Sequence, residues 1–156
     1  MKTNVLQSLF KIALLLFGIA VGFGCDNSDE WESEGMEISC KLVKIVENSV
    51  EVEIPEKLLN APRACVLYLN TDKSFQGSGP VNEIYGEYML NSISGKININ
   101  ILFMTELASS IYGDFENLYL SFLGNATSYK QEGEYFKFYF GKDSYLQYKS
   151  IERIDL

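Results

Sequence analysis

The cysteines and the closely spaced carboxylates are the side chains with most chemistry to offer, and no histidine stands among the 156 residues to activate either. Ser-His-Asp and Cys-His catalysis both need that imidazole as a base, and it is also the commonest metal ligand and pH switch, so all four roles are excluded. Glu51/Glu53 and Glu132/Glu134 are carboxylate pairs of the kind glycosidases use. Each pair flanks an alternating strand or a turn, where charge belongs on the solvent side, and nothing marks a cleft around them. The chain is therefore expected not to be an enzyme, with no catalytic residue, no metal site and no cofactor.

The three cysteines divide into one and two. Cys25 ends a segment that opens with Met1-Lys2, is closed on its polar side by Lys11, and continues as an uncharged run of ten residues, Ile12 to Val21. A bilayer-spanning helix needs about twenty apolar residues, so a run of this length is the core of a signal peptide. Gly22-Phe-Gly-Cys25 follows it and resembles a bacterial lipobox, with Gly22 where that motif usually carries Leu and Gly24 fitting well. Cys25 is the expected lipidation site, at which acyl chains worth about 0.8 kcal/mol per buried CH₂ hold a soluble domain on a membrane. Plain secretion and a retained N-terminal anchor are the competing readings. Cys40 and Cys65 lie in strand-like stretches. A disulfide between them, closing a separation of 25 residues, is one reading, and two buried thiols packed as small apolar groups the other.

The elements that must carry these residues follow from patterning. Residues 1–24 form the signal segment, and 25–37, with six acids in the twelve residues from Asp26 to Glu37, read as a solvated tether. Residues 38–156 form one domain, its size right for a single core. Lys and Arg number 13 against 21 Asp and Glu, a net charge of −8 that becomes −10 without the two lysines of residues 1–24. Such a surface repels phosphate backbones, and nucleic acid is excluded as a partner. Strands are predicted at Ile38–Val46, Val50–Ile54, Ala64–Leu69, Tyr85–Leu90, Lys96–Leu102, Thr127–Lys130, Tyr135–Phe140 and Tyr145–Ile151, with a polar turn leading into Ser74–Gly77. Ile111, Tyr112, Phe115, Leu118, Tyr119, Phe122 and Leu123 share one face of a helical period, with Ser109 and Ser110 placed to cap its start and Gly124-Asn125 to end it in a left-handed turn. Phe136, Phe138 and Phe140 share one strand face that must be buried. The expected fold is mainly β: a single antiparallel sheet, curled or barrel-like, with one amphipathic helix.

Phe75-Gln-Gly77, then Asn82 with Gly86-Glu-Tyr88 four residues on, lead through a strand to Thr105-Glu-Leu-Ala108, the helix, Tyr129, Gly133 and the closing Tyr145-Leu-Gln-Tyr148. In order and residue type this resembles the META domain of HslJ-like bacterial lipoproteins. Pro80-Val81 and Ser109 stand where that family often carries Gly-Cys and its second cysteine, so a role for that cysteine pair does not carry over. The resemblance implies that Gly77, Asn82, Gly86, Tyr88, Thr105 and Ala108 are motif positions, read here as scaffold: Gly86 for a close approach or bulge, Asn82 for a turn, Tyr88 for the core. It also implies a stress-associated envelope lipoprotein, anchored at the outer membrane and working as a structural or interaction module with an unidentified envelope protein partner. The acids after Cys25 resemble a surface-export signal of Bacteroides-type lipoproteins. A carrier of a small apolar ligand, lined by Phe136, Phe138 and Phe140, and an inhibitor of a hydrolase, acting through the loop Gln76–Glu83, are the alternatives.

Overall fold

Alternating side chains make most strands of this chain one-faced, and the structure joins those faces around a shared interior. The computed structural model describes residues 33–107 and 111–154, which belong to one compact unit, 31–156. Cys25, Ala108, Ser109 and Ser110 lie outside the described residues. The strands are β1 (Ile38–Glu47), β2 (Val50–Val52), β3 (Val66–Leu69), β4 (Ser74–Ser78), β5 (Glu83–Asn91), β6 (Lys96–Met104), β7 (Ser128–Glu132), β8 (Tyr135–Gly141) and β9 (Ser144–Ser150). Two helices, α1 (Glu56–Asn60) and α2 (Gly113–Gly124), complete the described elements. No helix among them is long and apolar enough to cross a membrane.

The nine strands form one antiparallel sheet in the order β2-β1-β3-β4-β5-β6-β7-β8-β9, and β1 pairs with β9 as well. The sheet therefore curls until its ends meet, without closing a regular barrel. β1 makes this possible by its length: Ile38–Lys41 pair with β3 and Ile45–Glu47 with β2 on one edge, while Cys40–Val46 pair with β9 on the other. The junction of β6 and β7 is much thinner. Its register holds one residue pair, Lys96 with Ser128, extended by Ile97 N–H donating to Thr127 O at 3.1 Å and Tyr129 N–H to Gly95 O at 2.7 Å.

Helix α2 packs against β6 on one side of that seam and against β8 and β9 on the other. Tyr119 and Leu123 are fully buried, and Phe122 stacks on Phe140 with ring centroids 4.1 Å apart. The helix starts later than its apolar stripe predicts. Gly113 opens it, Tyr112 stands at the N-cap without a side-chain cap bond, and Ile111 is left in solvent. Gly is the poorest helix former after Pro, and two residues ahead of it cannot hold a turn against solvent. The left-handed stop is also corrected: Asn125 has φ −94°, and its Nδ2 donates to Ser121 O at 2.8 Å. The Asn125 backbone N–H donates to the same carbonyl at 3.1 Å, so the last turn closes on a doubly bonded carbonyl without an αL residue.

One further expectation changes, and one open alternative is decided. Residues 33–37 are docked on the domain: Glu34 N–H donates to Leu90 O at 2.8 Å, Leu90 N–H to Ser33 Oγ at 3.2 Å, and Met36 packs against the core. Acidity alone predicted a solvated tether, but Met36 supplies an apolar contact that the acids around it do not oppose. The Cys40–Cys65 disulfide is absent, and both thiols are free and buried. Cys40 stands opposite Leu67 across the β1–β3 ladder, so Cys65 is a diagonal neighbour. Diagonal Cβ atoms are about 7 Å apart, against the ~3.8 Å that a bridge requires.

The interior is filled by large side chains, among them Phe75, Phe138, Tyr88, Tyr119 and Tyr148. Tyr148 and Tyr119 hydroxyls hydrogen-bond at 3.0 Å in the centre. Burial pushes the Cys65 thiol up to about 12 and raises the Cys40 thiol and both central phenols well above their ordinary values. In the unfolded chain thiols release protons near pH ~8.5 and phenols near ~10. Below those values the folded chain has its full stability. Above them the unfolded state binds fewer protons than the native one, so stability falls as pH rises. Urea midpoints measured from pH 7 to 11 are expected to hold flat to about pH 8.5 and then decline, and a midpoint that rises with alkali would contradict this packing.

Candidate functional site

The loop between β4 and β5 meets the first turn of α2 through one acid and holds the segment after β6 through one amide. Glu116 sits on the buried side of the helix, 4% exposed. Its Oε1 accepts from Val81 N–H at 3.1 Å and Asn82 N–H at 2.8 Å, while Oε2 accepts from Asn82 Nδ2 at 2.7 Å. Asn82 Oδ1 in turn accepts from Leu107 N–H at 2.7 Å and from the Thr105 hydroxyl at 3.1 Å. Thr105 Oγ1 accepts from Glu83 N–H at 3.0 Å, and Thr105 N–H donates to Glu83 O at 3.0 Å. Three segments distant in sequence are thereby tied through one carboxylate and one amide.

The backbone is shaped to admit this cluster. Gly79 N–H donates to Asn82 O at 2.7 Å, closing the turn. A Cβ at Gly79 would lie 2.6 Å from Glu116 Oε1, so only glycine leaves the carboxylate its place. Among the described residues no lysine or arginine pairs with Glu116, and every buried side-chain polar atom has a partner. A buried charge survives only when hydrogen bonds replace its water, and here both oxygens are so occupied. The acceptors are spent on the protein itself. The cluster is a clamp: three of the carboxylate's roughly four lone-pair sites, and both of those on the Asn82 amide oxygen, accept from protein donors.

The structure brings two of the motif residues together, Asn82 and Thr105, and disperses the rest. Gly77 lies within β4, opposite Leu67 on β3 and Ile84 on β5. Gly86 stands at an irregularity in the β5–β6 ladder, where a Cβ would collide with the Asn100 carbonyl and the Phe75 ring. Tyr88 is buried with its hydroxyl accepting from Met36 N–H at 2.6 Å and in reach to donate to Asn70 O at 2.7 Å, which seats the chain before β1. Glu116 and Gly79 escape sequence reasoning. The signal for Glu116 is its place on the helix, four residues from Tyr112 and three from Tyr119, an acid interrupting the apolar stripe.

The paired carboxylates are elsewhere, and three of the four are engaged. Glu51 pairs with Lys44 at 2.6 Å, Glu134 with Lys149 at 3.3 Å, and Glu132 with both Lys130 at 2.7 Å and Lys137 at 2.8 Å. Hydrogen bonds from the two lysines pull the Glu132 carboxyl down to about 2. Among the described residues no three His, Cys, Asp or Glu side chains converge to hold a metal.

Glu116→Gln replaces an acceptor oxygen by an NH₂ facing donors that are already buried. The substitution is expected to cost about 2–4 kcal/mol in urea unfolding, and Thr105→Val about 1–2 kcal/mol, since each strands buried hydrogen-bonding groups. A loss below about 0.5 kcal/mol for Glu116→Gln would show that the clamp does not hold the fold.

No family model matches the chain, and no curated protein matches it. Solved structures share its fold. A DUF4847 family protein from Bacteroides vulgatus ATCC 8482 is 17% identical at TM-score 0.53, covering 71% of this chain and 90% of its own. A protein from Burkholderia xenovorans, determined by NMR, is 21% identical at TM-score 0.59, covering 74% of this chain and 83% of its own. At such identities the likeness is one of fold.

Proposed function

We propose that this chain is a non-enzymatic envelope lipoprotein, held to a membrane by acyl chains on Cys25, whose META-like domain binds another envelope component through its outer sheet surface. The observation that carries the reading is where the apolar surface lies. The polar motif residues are consumed by one another, while β6 and the loop after it present Leu102, Phe103 and Leu107 to solvent at 61%, 60% and 60% exposure. Apolar side chains gathered on one surface mark an interaction site more often than chance. From Ile97 to Met104 the strand has no charge and none of the lysines and prolines that commonly keep other chains away.

The two alternatives lose their structural support. A carrier for a small apolar ligand needs room inside the curled sheet, and Tyr88, Tyr119, Tyr148 and Phe138 occupy that space. An inhibitor would act through a protruding loop Gln76–Glu83, and the burial of that segment gives it no support: Gly77, Ser78, Gly79 and Asn82 are buried and Glu116 ties the turn down.

Mass spectrometry of the full-length protein from its own host tests the reading. A diacyl or triacyl mass on a fragment beginning at Cys25 is expected, and Cys25→Ser should move the protein from the membrane to the soluble fraction. Retention of unmodified residues 1–24 would overturn the anchor. A discrete extra mass released only on denaturation would restore the carrier.

A further inference from the structure

We infer that the solvent face of β4, β5 and β6 binds a neutral saccharide. The inference rests on the binding-module reading and names what is bound. The strand register lays two rows of side chains across this face. In one, Ser74 stands opposite Glu87 and Glu87 opposite Asn100; in the other, Gln76 stands opposite Tyr85 and Tyr85 opposite Phe103. The first row is wholly polar. The second carries two aromatic rings, their centroids 6.1 Å apart and their planes inclined at 42°. Side chains two residues apart on a strand are about 7 Å apart on one face, and neighbouring strands about 4.8 Å, so sugar rings laid along the strands meet both rows.

The surface is concave where the rows meet. An open groove of about 780 Å³ is lined by Asp72, Lys73, Ser74, Glu87, Asn98 and Asn100 among others. A second, of about 330 Å³, runs on past Gln76, Tyr85, Gly86 and Leu102, and the two share Ser74 and Glu87. The Tyr85 hydroxyl donates to Glu83 Oε2 at 2.6 Å, which fixes the ring, and Phe103 is largely exposed beside it. The side chains of Gln76, Glu87, Asn98 and Asn100 have no partner among the described residues.

That combination suits a polyhydroxylated ring. Its C–H face packs on an exposed aromatic ring, and its hydroxyls donate to a carboxylate and exchange bonds with planar amides. A purely apolar ligand would desolvate Glu87 and Asn100 without pairing them. An anionic ligand would meet Asp72 and Glu87 on a chain of net charge −8. A peptide adding as a strand would seat on the edge of β6 that β7 leaves open beyond Lys96, in the plane of the sheet, and would leave these two rows of side chains untouched.

The test titrates the full-length protein in detergent, by calorimetry, with uncharged hexasaccharides of gluco, manno, galacto and xylo configuration, using polygalacturonate as the acidic control. At least one uncharged member is expected to bind and the control not. Tyr85→Ala and Asn100→Ala, both surface substitutions, should each weaken binding about tenfold while leaving the melting temperature unchanged. Absence of binding by every uncharged member, or binding indifferent to both substitutions, overturns the saccharide. A benzophenone side chain in place of Phe103 separates the two readings. A cross-link to an envelope protein, with no sugar bound, overturns the saccharide and leaves the module standing; neither sugar nor cross-link overturns both.

Discussion

A sheet that curls until its first and last strands meet hides its inner face only if every junction around the ring holds, and here one junction is a single residue pair wide. Everything else in the domain answers to that gap between β6 and β7. Backbone hydrogen bonds cannot close it, because β7 leaves β6 almost as soon as they meet. Packing closes it instead: α2 presents Tyr119, Phe122 and Leu123 to the interior and reaches strands on both sides. Burying such side chains stabilises by roughly 1.5–3 kcal/mol each, which makes the helix part of the wall rather than an ornament on it.

A helix used as a wall must be fixed along its length as well as pressed inward. Apolar contact is non-directional and leaves sliding and rotation open. Glu116 removes that freedom at the N-terminal turn through three short hydrogen bonds to the β4–β5 loop, while Tyr119 meets Tyr148 further along. The same loop holds Thr105 and Leu107 at the end of β6, the strand whose outer side the seam exposes. One cluster therefore sets the helix position and also ends the strand that presents the outer face. The clamp and the exposed apolar surface meet at Leu107, whose N–H is held by Asn82 while its side chain stands in solvent.

The sequence was most readable where structure is local. Phe136 and Phe138 alternate with Tyr135 and Lys137, and the period alone placed β8 and its buried face. Gly133 marked its hairpin and has the positive φ, 64°, that the turn requires. β4 was less legible because Ser74–Ser78 has one large apolar residue, and pairing on both sides makes it a strand. Asn48 and Ser49 both adopt positive φ in a two-residue hairpin turn that carries no glycine to announce it. Glu116 was invisible for a different reason. Its partner Asn82 is 34 residues away, and residue type says nothing of which distant backbone will bring its N–H groups. Thr105 and Asn82 were picked out by resemblance, but that they bond to each other is a fact of the fold.

The docking of residues 33–37 moves the start of the domain back to Ser33, eight residue steps after Cys25, a span of at most about 29 Å. Ser33 meets the domain at Leu90, near the β5–β6 turn, and Ser92 Oγ donates to Glu34 Oε2 at 2.8 Å beside it. The grooved face starts at Ser33 and runs along the strands past Glu87 to Leu102, so the segment that seats the chain ahead of β1 also walls one end of the groove.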